Sequence, residues 1–599
     1  MNKNIVFKIA LLAICTSLVS CNKKQKTYLK YKVWNAYSTE NLISDMNYFD
    51  GYSDHEIYKN RDKTLRFSCG KNENEGAQLM ISAETFINSF DLELPDVTGT
   101  QGTISKDNFS VSVAYYMNVS FSNERDALPG CYPDALIPLE NYKFRKLNFI
   151  EENRNQALYI NLKTTKDTPT GEYFGTGKLH LEEDVIDIPF EVTIYDVTMP
   201  DEVHQKAHFG LWYDEIANGE KRNANSEMNM AYFSFLLDKR IAPMDFPNEM
   251  KTNFDMFIEN YVELVVNNKT NAGIRLPVIW SNYSTSKVSS ILEKMIQKNI
   301  NLRGAGNSNI NLFNKCYFYI DDEPTASQYE TVRGHDKDIY DAKVYLANKY
   351  NLKIDYPDIY ASLMQVPNVV TREFNEELVA TQEQGGIQTW CPQVQHFQSE
   401  QSREKYRERQ SSNNREGGEH VWWYTCIDPQ SPYPNYHLDA NLLLTRVISY
   451  LQYDYNVEAS LFWNVCYYTK ILHGVTTPRD LWQDPLSWEN CASDGMLVYP
   501  GYTFGIKGPI TTLRLENLLA GNEEYEYLWM INQKIQEYNT IHTTSYETNV
   551  LLNKYYSQLF TNMIIGLDVN VFENVRVQLL QLLEALNHNL DNGMQELLG

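Results

Sequence analysis

Four consecutive residues carry the densest set of ionisable groups in an otherwise apolar setting: Asp321-Asp322-Glu323-Pro324, directly after Cys316-Tyr317-Phe318-Tyr319-Ile320. Carboxyl groups at the end of a buried strand can donate and accept protons in general acid–base catalysis. The same four residues would also start a helix, with Asp at the N-cap and Pro in the first turn, so the cluster alone leaves both roles open. Large aromatics end other apolar runs: Trp390, then Trp422-Trp423-Tyr424, then Trp463 followed by Asn464, with His208, Trp212 and Asp214 in an earlier run. A sugar has an apolar C–H face that stacks on rings and hydroxyls that need fixed polar partners, so rings beside carboxylates suit a glycan pocket. Each ring taken singly serves equally well as core filling. Alternation along a strand lets only some of Trp422, Trp423 and Tyr424 face one side.

The elements that must position these residues follow from periodicity. After residue 205, short apolar runs alternate with longer segments of 3.6-residue period, the pattern of a parallel sheet with crossover helices. Eight runs are expected as strands: 208–213, 240–244, 272–279, 316–320, 358–364, 386–391, 421–426 and 460–465. Helical segments fit between them, among them 248–266, 287–298, 328–350, 370–382 and 438–453. Eight such units make a (β/α)8 barrel of the TIM type, whose active site lies at the carboxyl ends of the strands, where the acidic cluster and several aromatics fall. Residues 22–200 instead show short alternating runs separated by breaks such as Thr168-Pro169-Thr170-Gly171, which predicts a β-sandwich. The expected order is a leader at 1–21, a sandwich at 22–200, a barrel at 201–537 and a helical tail at 538–599.

The length of 599 residues calls for more than one domain. Lys+Arg 53 against Asp+Glu 77 gives a net charge of −24 with no basic block, which argues against nucleic acid as a partner. Residues 1–21 place Lys3 and Lys8 before an apolar run that ends in Ser20-Cys21, a secretory signal. Leu18-Val19-Ser20-Cys21 resembles a bacterial lipobox, which implies lipidation at Cys21 and a membrane-anchored, exported lipoprotein. No acidic cluster follows it, which favours the periplasmic face over the cell surface. Of the seven later cysteines, Cys316, Cys391, Cys426 and Cys466 lie in apolar runs and are expected as small core residues. The 11 histidines are scattered, and no metal or cofactor is expected.

Several blocks resemble glycoside hydrolase family 123, the exo-acting β-N-acetylgalactosaminidases. They are Asn74-Glu75-Gly76-Ala77-Gln78, Tyr132-Pro133-Asp134, Thr170-Gly171-Glu172-Tyr173, Tyr319-Ile320-Asp321-Asp322-Glu323-Pro324, Trp422-Trp423-Tyr424, Asp494-Gly495-Met496, Arg514-Leu515-Glu516 and Glu524-Tyr525-Glu526-Tyr527. A standard retaining glycosidase needs carboxyls about 5–5.5 Å apart across the anomeric carbon, and an inverting one roughly 6.5–9.5 Å. Adjacent residues leaving one strand approach from one side. That suits the substrate-assisted route, in which the sugar's own 2-acetamido oxygen attacks. The resemblance implies this route, with Glu323 as general acid and then base, and Asp322 orienting the acetamido group. It implies a terminal β-linked N-acetylgalactosamine on a glycan or glycolipid as substrate. Tyr424 is then the expected donor to the acetamido carbonyl and Trp463 the platform under the sugar. Asn464, His208, Trp390, Trp422 and Trp423 are expected pocket contacts, and Asp321 a supporting or capping residue. Two alternatives stay open: a catalytically silent glycan-binding lipoprotein, and a related barrel glycosidase acting on another sugar.

Overall fold

The computed structural model describes residues 30–221, 225–248, 250, 253–266, 273–278, 283–307 and 310–599. The expected leader, with Cys21, lies outside the described residues, as do the ends of the expected third strand at 272 and 279.

The N-terminal part is built from β1 (Tyr31–Tyr37), β2 (Leu65–Lys71), β3 (Asn74–Ala83), β4 (Phe90–Glu93), β5 (Val97–Gly99), β6 (Gly102–Ile104), β7 (Phe109–Val119), β8 (Gly130–Pro138), β9 (Arg154–Lys163), β10 (Gly171–Leu181) and β11 (Asp184–Thr198). One sheet runs β1-β3-β9-β7-β8 and the other β2-β11-β10-β5-β6, with β4 also on β10. Alternate residues such as Leu79, Ile81, Leu158 and Ile160 join Phe67, Phe190 and Val192 in the core, where Phe67 and Phe190 stack with centroids 6.1 Å apart. The first sheet is buried on its other face too. Trp34, Met80, Ala157 and Tyr159 pack there with Leu442 and Leu513, which explains why β3 and β9 are buried along most of their length on both faces.

A nearly closed eight-stranded parallel barrel follows: β12 (Ala207–Phe209), β13 (Ala242–Pro243), β14 (Ile274–Arg275), β15 (Cys316–Asp322), β16 (Asn368–Thr371), β17 (Thr389–Trp390), β18 (His420–Thr425) and β19 (Ala459–Phe462). Its order is β13-β12-β19-β18-β17-β16-β15-β14, and the seam is spanned by the Arg275 N–H donating to Met244 O at 2.9 Å. The fifth strand is not at 358–364. That run is the helix Pro357–Gln365, with proline in its first turn and Ile359, Leu363 and Met364 on its buried side. The strand is β16, inside a stretch the periodicity assigns to a loop and to the start of a helix over 370–382. Residues 376–378 form only a short 3-10 turn. A short apolar run has no period of its own to separate strand from helix.

The helix Leu513–His542 packs between the sandwich and the barrel unit, with Glu523 against Asn74 and Glu516 against Lys239, and runs past the expected boundary at 537. The helices Thr548–Leu559, Val569–His588 and Leu590–Leu598 complete the chain. The tail braces the two domains: Arg576 reaches Ser68 O at 2.7 Å and Glu75 at 3.3 Å. Among the described residues no helix is long and apolar enough to cross a membrane.

Candidate active site

Strand parity decides which side chains enter the barrel. Tyr317 and Tyr319 on β15, Trp422 and Tyr424 on β18, and Ala459 and Leu461 on β19 form one interior cluster, whereas Phe318, Ile320, Trp423 and Phe462 pack outward in the main core. Simple alternation on β15 would send Asp321 inward. A bulge prevents it: Tyr319 pairs with Val369, but Val370 faces Asp321 and Thr371 faces Asp322, leaving Ile320 without a register partner. Two successive residues thereby point outward, and Asp322 is delivered to the interior. Asp321 lies near His335, accepts the Asp322 N–H at 2.9 Å, and is raised above the usual carboxylate range by burial.

Asp322 and Glu323 open onto a cavity of about 630 Å³ at the carboxyl ends of the strands. The Tyr319 hydroxyl donates to Asp322 Oδ1 at 2.8 Å and the Thr371 hydroxyl to the same oxygen at 2.7 Å. Both bonds fall on Oδ1, so Oδ2 stays available to a ligand. Thr371 also fixes the neighbour, since the Glu323 N–H donates to Thr371 Oγ1 at 3.0 Å and to Thr371 O at 3.1 Å. Glu323 adopts a φ of +46°, the left-handed region that non-glycine residues seldom occupy, at a cost of about 1–3 kcal/mol. The Tyr424 hydroxyl donates to Glu323 Oε1. Burial first, and then that bond, push the Tyr424 phenol far above its ordinary pKa, so it acts as a proton-bearing donor throughout the physiological range.

One wall of the cavity is aromatic. Trp463 meets Trp212, Tyr467 and Trp488 at inclined angles, with centroids 5.4, 5.0 and 6.3 Å away. Its indole N–H donates to Asp494 Oδ2 at 3.0 Å. Gly495 lies against the ring at φ +74°, where a Cβ would come within 2.2 Å of Trp463 Cζ2, so only glycine lets the backbone pass so close. The other carboxylates at the cavity serve structure. Asp245 pairs with Arg275, Glu215 accepts the Tyr468 N–H at 2.9 Å, and Asp428 accepts from Gln430 at 2.8 Å.

Of the expected site residues, the fold brings Asp322, Glu323, Tyr424 and Trp463 together at this cavity. Five others lie elsewhere. His208 and Trp422 point into the barrel two residues too deep, stacked with centroids 4.5 Å apart beside Tyr317, and line a separate cavity of about 160 Å³ at the opposite end. Burial drives His208 down to a pKa of about 3, which keeps it neutral. Trp390 and Trp423 face outward, where their indole N–H groups donate to Glu419 and Ser460 at 2.7 Å each. Asn464 is fully buried and caps the turn after β19, accepting the N–H groups of Val465 and Cys466 at 2.8 and 3.1 Å. Tyr424 reaches the cavity, where its hydroxyl proton is donated to Glu323 Oε1. Sequence reasoning missed Tyr319, Thr371, Arg275 and Asp494. Tyr319 could have been found from its parity with Tyr317; Thr371 could not, because its strand was misplaced.

The model of the glycoside hydrolase 123 catalytic domain matches residues 283–531, a span that contains Asp322, Glu323, Thr371, Tyr424, Trp463 and Asp494. No curated protein matches the chain. Among solved structures, a family 123 glycoside hydrolase from Clostridium perfringens, studied for glycolipid glycan hydrolysis, is similar with a TM-score of 0.62 at 13% identity, covering 95% of this chain and 99% of that one. A β-glucuronidase from Parabacteroides merdae has a TM-score of 0.22 at 9% identity over 65% of this chain and 44% of its own, too slight a likeness to argue from. The model of the glycoside hydrolase 123 catalytic domain thus matches the part of the chain that carries the carboxyl pair at the mouth of the barrel, and the chain is a glycoside hydrolase.

Proposed function

We propose that the enzyme removes terminal β-linked N-acetylgalactosamine from glycans or glycolipids, with retention, by the substrate-assisted route. The observation that carries this reading is the division of labour among the cavity carboxylates. Asp322 and Glu323 are the exposed pair on one side, while Asp245, Asp494, Glu215 and Asp428 are held by protein partners, so among the described residues no free carboxylate opposes the pair across the cavity. In this mechanism Asp322 Oδ2 accepts the acetamido N–H, turning the acetamido oxygen toward the anomeric carbon and balancing charge on the oxazolinium-like intermediate. Glu323 protonates the leaving oxygen and then activates water from the same face. Tyr424 aims that carboxyl and steadies its anion between the two steps. The Trp463 face supports the sugar ring.

Hydrolysis of nitrophenyl β-N-acetylgalactosaminide, inhibited by a GalNAc-thiazoline, tests this reading. Glu323→Gln is expected to lower kcat/KM by about 10²–10⁴-fold. Full activity in that variant, or insensitivity to the thiazoline, would overturn the mechanism; preference for another nitrophenyl sugar would overturn the substrate. We propose further that Cys21 carries a lipid anchor on an exported enzyme, so Cys21→Ala should release the protein from membranes into the soluble fraction.

A further inference from the structure

The wall of the cavity beyond Tyr424 is formed by Cys426, Ile427 and Asp428, at the start of a loop that runs to residue 440. This loop is held chiefly from the sandwich. Glu124, in the connection between β7 and β8, accepts the Ser431 N–H at 2.6 Å and lies 3.4 Å from Asn435 Nδ2. Asp126 accepts the Ser431 hydroxyl, and Asn41 donates to Leu438 O and Ala440 O at 3.1 and 3.0 Å. At the centre is His437, only 3% exposed, with Nδ1 2.5 Å from Glu124 Oε1 and Nε2 2.8 Å from Cys426 O. A carboxylate and a carbonyl both accept. A neutral imidazole donates through one nitrogen only, so satisfying both contacts requires the imidazolium.

We propose that Glu124 of the sandwich, acting through a permanently charged His437, is a positioning residue of the active site: the Glu124–His437–Cys426 relay sets where the rim carrying Cys426 and Asp428 stands against Tyr424 and Glu323. The groups around His437 agree. Glu124 reaches it from the sandwich, Asp439 from its own loop, and Cys491 and Asp494 from the segment after β19, while Arg514 of the long helix faces Asp439 and Asp494 from behind. Burial opposes the charge, but Cys491 and Glu124 outweigh it and hold His437 well above the usual histidine range. The sandwich is thereby part of the catalytic apparatus and not a detachable module.

This inference rests on the cavity being the active site, and its test separates the two. In the full-length protein with 15N-labelled histidine, His437, assigned by its loss in His437→Gln, should show both ring nitrogens protonated at pH 8. In Glu124→Gln it should titrate near the ordinary histidine range. With whichever nitrophenyl glycoside the wild type cleaves, Glu124→Gln and His437→Gln should lower kcat/KM about 10-fold or more, and Glu124→Asp should recover part of the loss. A neutral His437 in the wild type at pH 7 would overturn the proposal, as would unchanged kcat/KM in folded variants. If the wild type cleaves another sugar, only the GalNAc reading fails.

Discussion

Asp494 illustrates how one residue can support the site at a cost to stability. Burial raises its carboxyl to about 6, against the opposing pull of His437 and the Trp463 indole. The unfolded chain ionises at ordinary carboxylate pH, so between about pH 4 and 6 the folded state holds the extra proton. Stability therefore falls as pH rises through this window and stays lower above it, by roughly 2–3 kcal/mol. Asp494→Asn keeps an oxygen for the indole and removes the ionisation. It is expected to make the melting temperature fall less steeply between pH 4 and 6 and to melt higher than the parent at pH 7.5; an unchanged slope would contradict this account. Thr371 bears a different load, since one hydroxyl serves both residues of the proposed catalytic pair, Asp322 and Glu323. Thr371→Val keeps the shape and loses about 1–2 kcal/mol of hydrogen bonding, for an expected drop in kcat of roughly 10-fold with the melting curve little changed.

At the scale of elements, two irregularities build the site: the bulge in β15 and the left-handed turn at Glu323 that ends it. The first selects Asp322 over Asp321 for the interior, and the second turns the next carboxyl to the rim beside Tyr424. The segment after β19 supplies the aromatic wall, with Gly495 packed on Trp463. Gly495→Ala combines a disfavoured φ with a Cβ 2.2 Å from the ring. It should displace the indole and raise KM for the glycoside by about 10-fold or more, with kcat less affected.

Across the whole molecule, the sandwich and barrel are joined by charges buried between them. Asp134 forms a two-pronged pair with Arg514 at 2.9 and 2.8 Å and accepts the Tyr499 hydroxyl at 2.9 Å. Asn74 donates to Glu523 at 3.0 Å and Tyr527 donates to Glu73, while Arg446, which grips Glu524 inside the barrel unit at 2.6 and 3.1 Å, reaches Ser38 at 3.3 Å. Arg576 lies among Glu75, Glu524 and Glu573. Removing one partner strands the rest, so Arg576→Ala should cost about 3–5 kcal/mol, read as a lower melting temperature in a single unfolding transition. Burial holds the carboxyls of Glu73, Glu75 and Glu523 above the usual range. Raised carboxyl pKa values mean protons retained on folding, so the melting temperature should decline as pH climbs from about 4.5 to 8.

The sequence by itself indicated the order of architectures and a barrel rim carrying carboxyls and aromatics, because period and local composition survive in one dimension, while the family resemblance is what singled out Asp322-Glu323 with Tyr424 and Trp463 for particular roles. The sequence also held the interface without revealing it. Asn74-Glu75-Gly76, Tyr132-Pro133-Asp134, Arg514-Leu515-Glu516 and Glu524-Tyr525-Glu526-Tyr527 read as marks of kinship, and the structure shows that they join the domains. Only the tertiary structure decided which face each aromatic takes. A single bulge shifts parity, and depth along a barrel strand separates Trp422 from Tyr424, so His208, Trp390, Trp422, Trp423 and Asn464 became core and cap while Thr371 and Asp494 joined the site. Contacts between residues hundreds of positions apart, such as Glu124 with His437, have no local signature because no local period encodes them.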